Sequence, residues 1–218
     1  MVLSQCNAGR PDAGGGRASE LARSPRSREG LASPDLQLLF TPASYAAGKF
    51  GVLETAPGMT CAICPVKPDS RGTVMAKSSD PFDRPAIRPN YLAARSDQEL
   101  LARGIRMVRE IFAQPAIAQY SVEEILPGPG AASDDELLAF NRQYGTTIYH
   151  PVGTCRMGAA ADPDAVVDPA LRVRGLDGLR VVDASVMPVI PGGNTNAPTI
   201  MVAERAADLI RGRVPAAV

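Results

Sequence analysis

Strand-like stretches come first along this chain and helix-like stretches follow. That order limits the folds open to it more than any other feature. Leu36-Gln37-Leu38-Leu39-Phe40 reads as a strand, and Met59 to Val66 and Gly72 to Ala76 read as two more around the turn Pro68-Asp69-Ser70-Arg71-Gly72. The helical periods come afterwards. Leu100, Leu101, Ile105, Val108, Ile111 and Phe112 recur near helical spacing from Asp97 to Phe112, with charges between them. Ser133-Asp134-Asp135-Glu136 is a capping box ahead of Leu137, Leu138 and Phe140 and predicts a helix start. A last helix is predicted from Thr199 to Arg211, with Glu204, Arg205, Asp208 and Arg211 as its polar stripe and Gly212 as its stop. Its apolar residues cover most of its circumference, so it is expected to pack deeply. Strands grouped ahead of helices, rather than alternating with them, predict an α+β fold.

The first 33 residues lack apolar periodicity. Gly14-Gly15-Gly16 and Ser24-Pro25-Arg26-Ser27-Arg28 give them the character of a disordered low-complexity tail, with structure beginning at about Asp35. Lys+Arg and Asp+Glu balance at 23 each, which gives neither nucleic acid nor an anionic membrane a reason to bind. The longest uncharged stretch, Ala184 to Ala203, carries three prolines and two asparagines and is a poor membrane span. Met1-Val2-Leu3-Ser4-Gln5 has no charged or apolar leader character. Four cysteines are too few for a disulfide scaffold, so a reducing cytoplasm is the expected location.

The chemistry concentrates near the C-terminal end. His150, the only histidine, opens Tyr149-His150-Pro151-Val152-Gly153-Thr154-Cys155-Arg156-Met157-Gly158. Pro151 biases His150 away from helix and the glycines permit an irregular loop, the kind that presents functional side chains. Taken blind, a lone histidine is either a structural residue or a proton-transfer group. An apolar strand ending in an acid is read at Leu179-Arg180-Val181-Val182-Asp183-Ala184-Ser185. The turn Pro191-Gly192-Gly193-Asn194-Thr195-Asn196-Ala197-Pro198-Thr199 then opens the last helix. Asn194 beside Gly193 suits a turn. Asn196 suits an N-cap, with Pro198 in the first turn. Cys61-Ala62-Ile63-Cys64 has metal-like spacing, but no second pair or spare histidine completes a zinc site, so no metal is expected. Cys155 raises a thiol-nucleophile alternative, for which no orienting third residue is evident.

Several blocks in one order carry a resemblance. His-Pro-Val-Gly-Thr-Cys-Arg-Met-Gly from His150, Val-Val-Asp-Pro from Val166, Leu-Arg-Val-Arg-Gly-Leu from Leu171, Leu-Arg-Val-Val-Asp-Ala-Ser from Leu179 and Gly-Asn-Thr-Asn-Ala-Pro-Thr from Gly193 resemble the C-terminal part of glucose–methanol–choline flavin oxidoreductases, closest to the choline-dehydrogenase-like and aryl-alcohol branches. The likeness includes Pro65 to Gly72 and Ile87 to Leu92 and runs from about Pro34 to Arg213. It implies FAD as cofactor and a primary alcohol as substrate. His150 would take the hydroxyl proton as hydride leaves for the flavin, and Asn194 would be the second active-site residue, holding the substrate oxygen. Thr195 and Asn196 would lie beside the flavin's pyrimidine edge, and Asp183 and Ala184 would touch its ribityl–phosphate portion. It further implies residues 34–145 as part of a substrate-binding domain built on an antiparallel sheet with helices. Residues 146–218 would be the catalytic segment, whose strand–loop–helix completes an FAD-binding domain.

A dinucleotide site also needs a seat for its pyrophosphate, commonly Gly-x-Gly-x-x-Gly after a strand. Gly14-Gly15-Gly16-Arg17-Ala18-Ser19 follows no apolar strand and does not qualify. The chain therefore reads as the C-terminal part of such an enzyme. The alternatives are a catalytically silent remnant, or a subunit that depends on a separate chain carrying the FAD-binding half.

Overall fold

The computed structural model describes residues 2–8, 21–46 and 52–213. Its elements are β1 (Val2–Ala8), β2 (Leu21–Arg23), β3 (Leu36–Thr41), β4 (Gly58–Pro65), β5 (Thr73–Met75), β6 (Ala86–Arg88), α1 (Arg95–Phe112), α2 (Pro115–Ala118), β7 (Ser121–Leu126), α3 (Asp134–Tyr144), a 3-10 turn (Ala184–Val186) and α4 (Asn196–Ile210). They form two units, one from residues 1–71 and 90–148, the other from 72–89 and 149–218.

The first unit is an antiparallel five-stranded sheet, in the order β2-β3-β4-β1-β7, with helices on it. Leu36, Leu38, Cys61 and Ile63 of the sheet meet Leu100, Leu101, Ile105, Val108 and Phe112 of α1 and Leu137 and Phe140 of α3. Gly104 sets the approach of α1: a Cβ there would lie 2.6 Å from Ile63 Cγ2. The start of α1 is closed by a loop from far along the chain. Ala94 supplies no side-chain cap, so Ser70 Oγ accepts from Ala94 N–H at 3.0 Å. The buried Asp97 carboxylate accepts from the N–H groups of Asp69 and Ser70, both at 2.8 Å, and from Ser70 Oγ. The capping box at Ser133 forms as expected, with Ser133 and Glu136 bonding each other's backbone N–H.

The residues expected as a tail differ from that reading. Val2–Ala8 pairs with both β4 and β7, and Leu21–Arg23 pairs with β3. Ser27 is tied to Asp35 through its N–H (2.7 Å) and hydroxyl (2.6 Å). Composition missed this because ladder bonds are made by the backbone and a strand between two partners needs no strong pattern of its own. The glycine run at 14–16 lies outside the described residues. The two strands read around Pro68–Gly72 are both present but do not pair with each other: Gly58–Pro65 belongs to the five-stranded sheet, while Thr73–Met75 pairs with Ala86–Arg88 in the second unit. β7 escaped the sequence reading because Glu123 and Glu124 break its apolar pattern. Its anchor is an ion pair, Arg109 Nε donating to both Glu124 oxygens at 3.1 Å.

Cys61 and Cys64 lie buried on β4 and are not joined in a disulfide. Burial, reinforced by the neighbouring Cys64, pushes the Cys61 thiol from 9.0 up to about 12. In the unfolded chain it ionises at its ordinary value, so above pH 9 the folded state holds the extra proton and stability falls as pH rises. The loss approaches about 1.4 kcal/mol per pH unit over that window. Urea melts from pH 8 to 10.5 should show it, and Cys61→Val should flatten the dependence; an equally steep decline in the variant would refute the assignment.

The second unit holds little regular structure before α4. Its core joins Val167, Leu171, Val186, Met187, Val202 and Ala206. The expected strand at Leu179–Ser185 is corrected: Arg180 makes an isolated bridge with Arg172, and Ala184–Val186 turns as 3-10 helix. The Asp183 carboxylate, which accepts from Ser185 N–H at 2.8 Å, ends the extended run by capping that turn. α4 closes with the expected Gly212 at φ +67°, Arg213 N–H reaching Asp208 O and Gly212 N–H reaching Leu209 O. Its deep packing is not found within this unit: Val202 and Ala206 are buried, but Ile200, Met201 and Ile210 are 55–63% exposed.

Candidate active site

Two connections fix the loop that carries His150. Gly153 takes φ +88°, a left-handed turn that favours glycine. Beyond it, Cys155 N–H donates to Ser185 O at 3.1 Å and Met157 N–H to Val186 O at 2.8 Å. The loop therefore hangs on the 3-10 turn, and Val186, fully buried, packs that turn in the core with Val202 of α4. Further out, Arg156 pairs with Asp162 at 2.9 Å, and Arg174 donates to the carbonyls of Asp162 (2.6 Å) and Gly158 (3.0 Å). Asp168 Oδ1 accepts from Ala170 and Arg172 N–H groups, and the Arg172 N–H foremost holds its carboxyl below the usual carboxylate range. These contacts make a shaped scaffold from a stretch with almost no ladders.

Gly192, at φ +86°, reverses the chain ahead of α4 and brings Asn194 and Thr195 to the histidine. The Asn194 amide nitrogen lies 2.8 Å from His150 Nε2, and Thr195 Oγ1 lies 3.0 Å from Nδ1. Residues 44 and 45 positions apart thus engage both ring nitrogens. Both ring nitrogens are occupied, so the ring is not paired with Cys155, and a histidine–thiol pair gains no support.

Asp183 and Ala184 sit at the entry to the 3-10 turn, with the Asp183 side chain turned onto Ser185. Asn196 is the first helical residue and Thr195 takes the cap position, one residue earlier than the sequence suggested. Thr195 makes no side-chain cap, and Pro198 has no N–H, so the α4 N-terminus lacks side-chain neutralisation. Such an end carries roughly half a positive charge and suits an electron-rich ligand edge. The sequence reading missed the Thr195 hydroxyl as a partner of His150. Its only signal was a hydroxyl residue directly after Asn194. Among the described residues no group of three His, Cys, Asp or Glu side chains could hold a metal, and no helix is long and apolar enough to cross a membrane.

Comparison with known proteins shows the family. The sequence model described as GMC oxidoreductase matches residues 68–203. An alcohol dehydrogenase [acceptor] of Pseudomonas putida is 49% identical over 181 residues, 83% of this chain and 32% of that protein. An oxygen-dependent choline dehydrogenase of Chromohalobacter salexigens is 48% identical over 191 residues, 87% of this chain and 34% of that one. The Aspergillus oryzae RIB40 formate oxidase, solved in work on modification of its FAD, superposes with a TM-score of 0.74 at 31% identity, covering 84% of this chain and 32% of its own. The chain belongs to the GMC oxidoreductase family and has the mixed α+β architecture of the family's solved members. It spans about a third of the length of the curated relatives it matches.

Proposed function

We propose that this chain supplies the proton-accepting and flavin-facing portion of an FAD-dependent oxidoreductase acting on a primary alcohol CH–OH group. The observation that carries the reading is the His150–Asn194 contact. The amide nitrogen sits 2.8 Å from Nε2, at hydrogen-bond distance, in a place from which a substrate hydroxyl could donate. In the reaction the carbinol carbon loses a hydride and its oxygen loses a proton. FAD, when bound, supplies the hydride acceptor. His150 Nε2 takes the proton, because an alkoxide expels hydride far more readily than a neutral alcohol. Asn194 swings from the ring to the substrate oxygen and holds it there. The uncapped end of α4, through Thr195 and Asn196, would hold the flavin's pyrimidine edge, and Asp183 and Ala184 the ribityl–phosphate portion.

A second reading is favoured by the exposed Ile200, Met201 and Ile210 of α4. Here the chain acts only with a separate chain that carries the dinucleotide fold. Both readings predict that the 218-residue chain alone emerges from gel filtration without stoichiometric FAD, because most of the dinucleotide's polar groups would stay unpaired. Joined to the remaining two thirds of the Pseudomonas putida relative, it should retain flavin. Flavin retained by the chain alone would overturn the dependence on a second half.

A further inference from the structure

The two contacts of His150 constrain its proton. A neutral imidazole carries one N–H and one lone pair. The Asn194 amide nitrogen 2.8 Å from Nε2 has only protons to offer, so Nε2 is the acceptor. Nδ1 then carries the hydrogen and donates it to Thr195 Oγ1 at 3.0 Å. We propose that Thr195 is a positioning residue that holds His150 in the Nδ1–H form and so keeps the Nε2 lone pair for the alcohol's proton. The inference rests on the proton-acceptor reading of His150 given above.

Two further observations explain why this hydroxyl is available. Threonine at a helix N-cap ordinarily spends its side chain on the N–H of the second or third helical residue. In α4 the third is Pro198, which has no N–H, and the Thr195 backbone sits at φ −91°, ψ −5°, in the helical region rather than the extended one usual for a cap. The hydroxyl is thereby released to the ring while only 7% of the residue is exposed. The contact with the ring is part-buried, and water competes less for such an N–H than for an exposed one. When Nε2 takes the proton, the Nδ1–H bond to Thr195 persists, so the ring need not turn during transfer.

Because His150 is the only histidine, its ring signals in the full 218-residue chain are unambiguous. A long-range proton–nitrogen NMR spectrum of uniformly nitrogen-15-labelled protein, recorded where the ring is neutral, reads the tautomer directly. The expected result is a pyridine-like Nε2, recognised by strong couplings to both carbon-bound ring protons, and a pyrrole-like Nδ1. Thr195→Val, of nearly equal volume, should shift the ring toward the Nε2–H form, and Thr195→Ser should restore the original pattern. In the flavin-loaded assembly, Thr195→Val should lower the alcohol-driven rate roughly 3- to 10-fold, the range one neutral hydrogen bond contributes, with Ser recovering it. An Nε2–H ring in the unaltered protein overturns the proposal, and so does a tautomer ratio unmoved by Thr195→Val. The tautomer is read without flavin or substrate, so its failure is distinguishable from failure of the proposed activity.

Discussion

His150→Ala, in a flavin-loaded assembly, is expected to lower the rate constant for alcohol-driven flavin reduction by roughly two to four orders of magnitude, the usual contribution of a positioned general base. Alanine leaves no base there to take the hydroxyl proton, since the two groups bonded to the ring are an amide and a hydroxyl, neither basic enough. The deficit should shrink at high pH, where more alcohol ionises unaided. Asn194→Ala should cost about tenfold, because it removes an orienting hydrogen bond and spares the proton acceptor. Cys155→Ser should change little, because the loop holds Cys155 through its backbone N–H. Stopped-flow absorbance measures all three, and a Cys155 effect equal to that of His150 would revive the thiol alternative.

Asp97→Ala, far from His150 in the sequence, should lower stability by roughly 3 kcal/mol. The carboxylate is the common acceptor for two backbone N–H groups and one hydroxyl of the Asp69–Ser70 loop. Hydrogen bonds to a charged group each contribute about 1.5–3 kcal/mol, and partial exposure of the loop tempers the sum. Asp97→Asn should lose less, since one amide oxygen still accepts. Urea denaturation should show a lower midpoint at unchanged slope. A shift below about 1 kcal/mol would mean that water replaces the carboxylate at little cost.

How far the sequence revealed this outcome depends on the kind of interaction. Helices with a strong period or cap were legible: Asp97 to Phe112 becomes Arg95–Phe112, and the Ser133 box starts α3. β3 and β4 were legible because a strand buried on both faces reads as an apolar run. Pairing was not. β1 joins two strands whose sequence positions differ by more than 50 residues, and nothing in Val2–Ala8 encodes the choice. Leu179–Asp183 misled because an apolar run predicts a strand without supplying a neighbour for it. At the candidate site, the motif order identified His150 and Asn194, and the structure brings them within one hydrogen bond. The part of Thr195 stayed hidden because it arises from a competition, in which Pro198 removes one of the two N–H groups that a cap hydroxyl ordinarily bonds.

Proton acceptance by the His150 segment while the alcohol's carbon gives up hydride is the step on which the proposed reaction turns. It is tested most directly by mixing the flavin-loaded assembly anaerobically with a primary alcohol and following flavin absorbance through one turnover. Stoichiometric bleaching is expected, slowed when the carbinol carbon carries deuterium and slowed again, by roughly a hundredfold or more, in His150→Ala. A flavin that stays oxidised in a folded, loaded assembly, or that bleaches equally fast without His150, would contradict it.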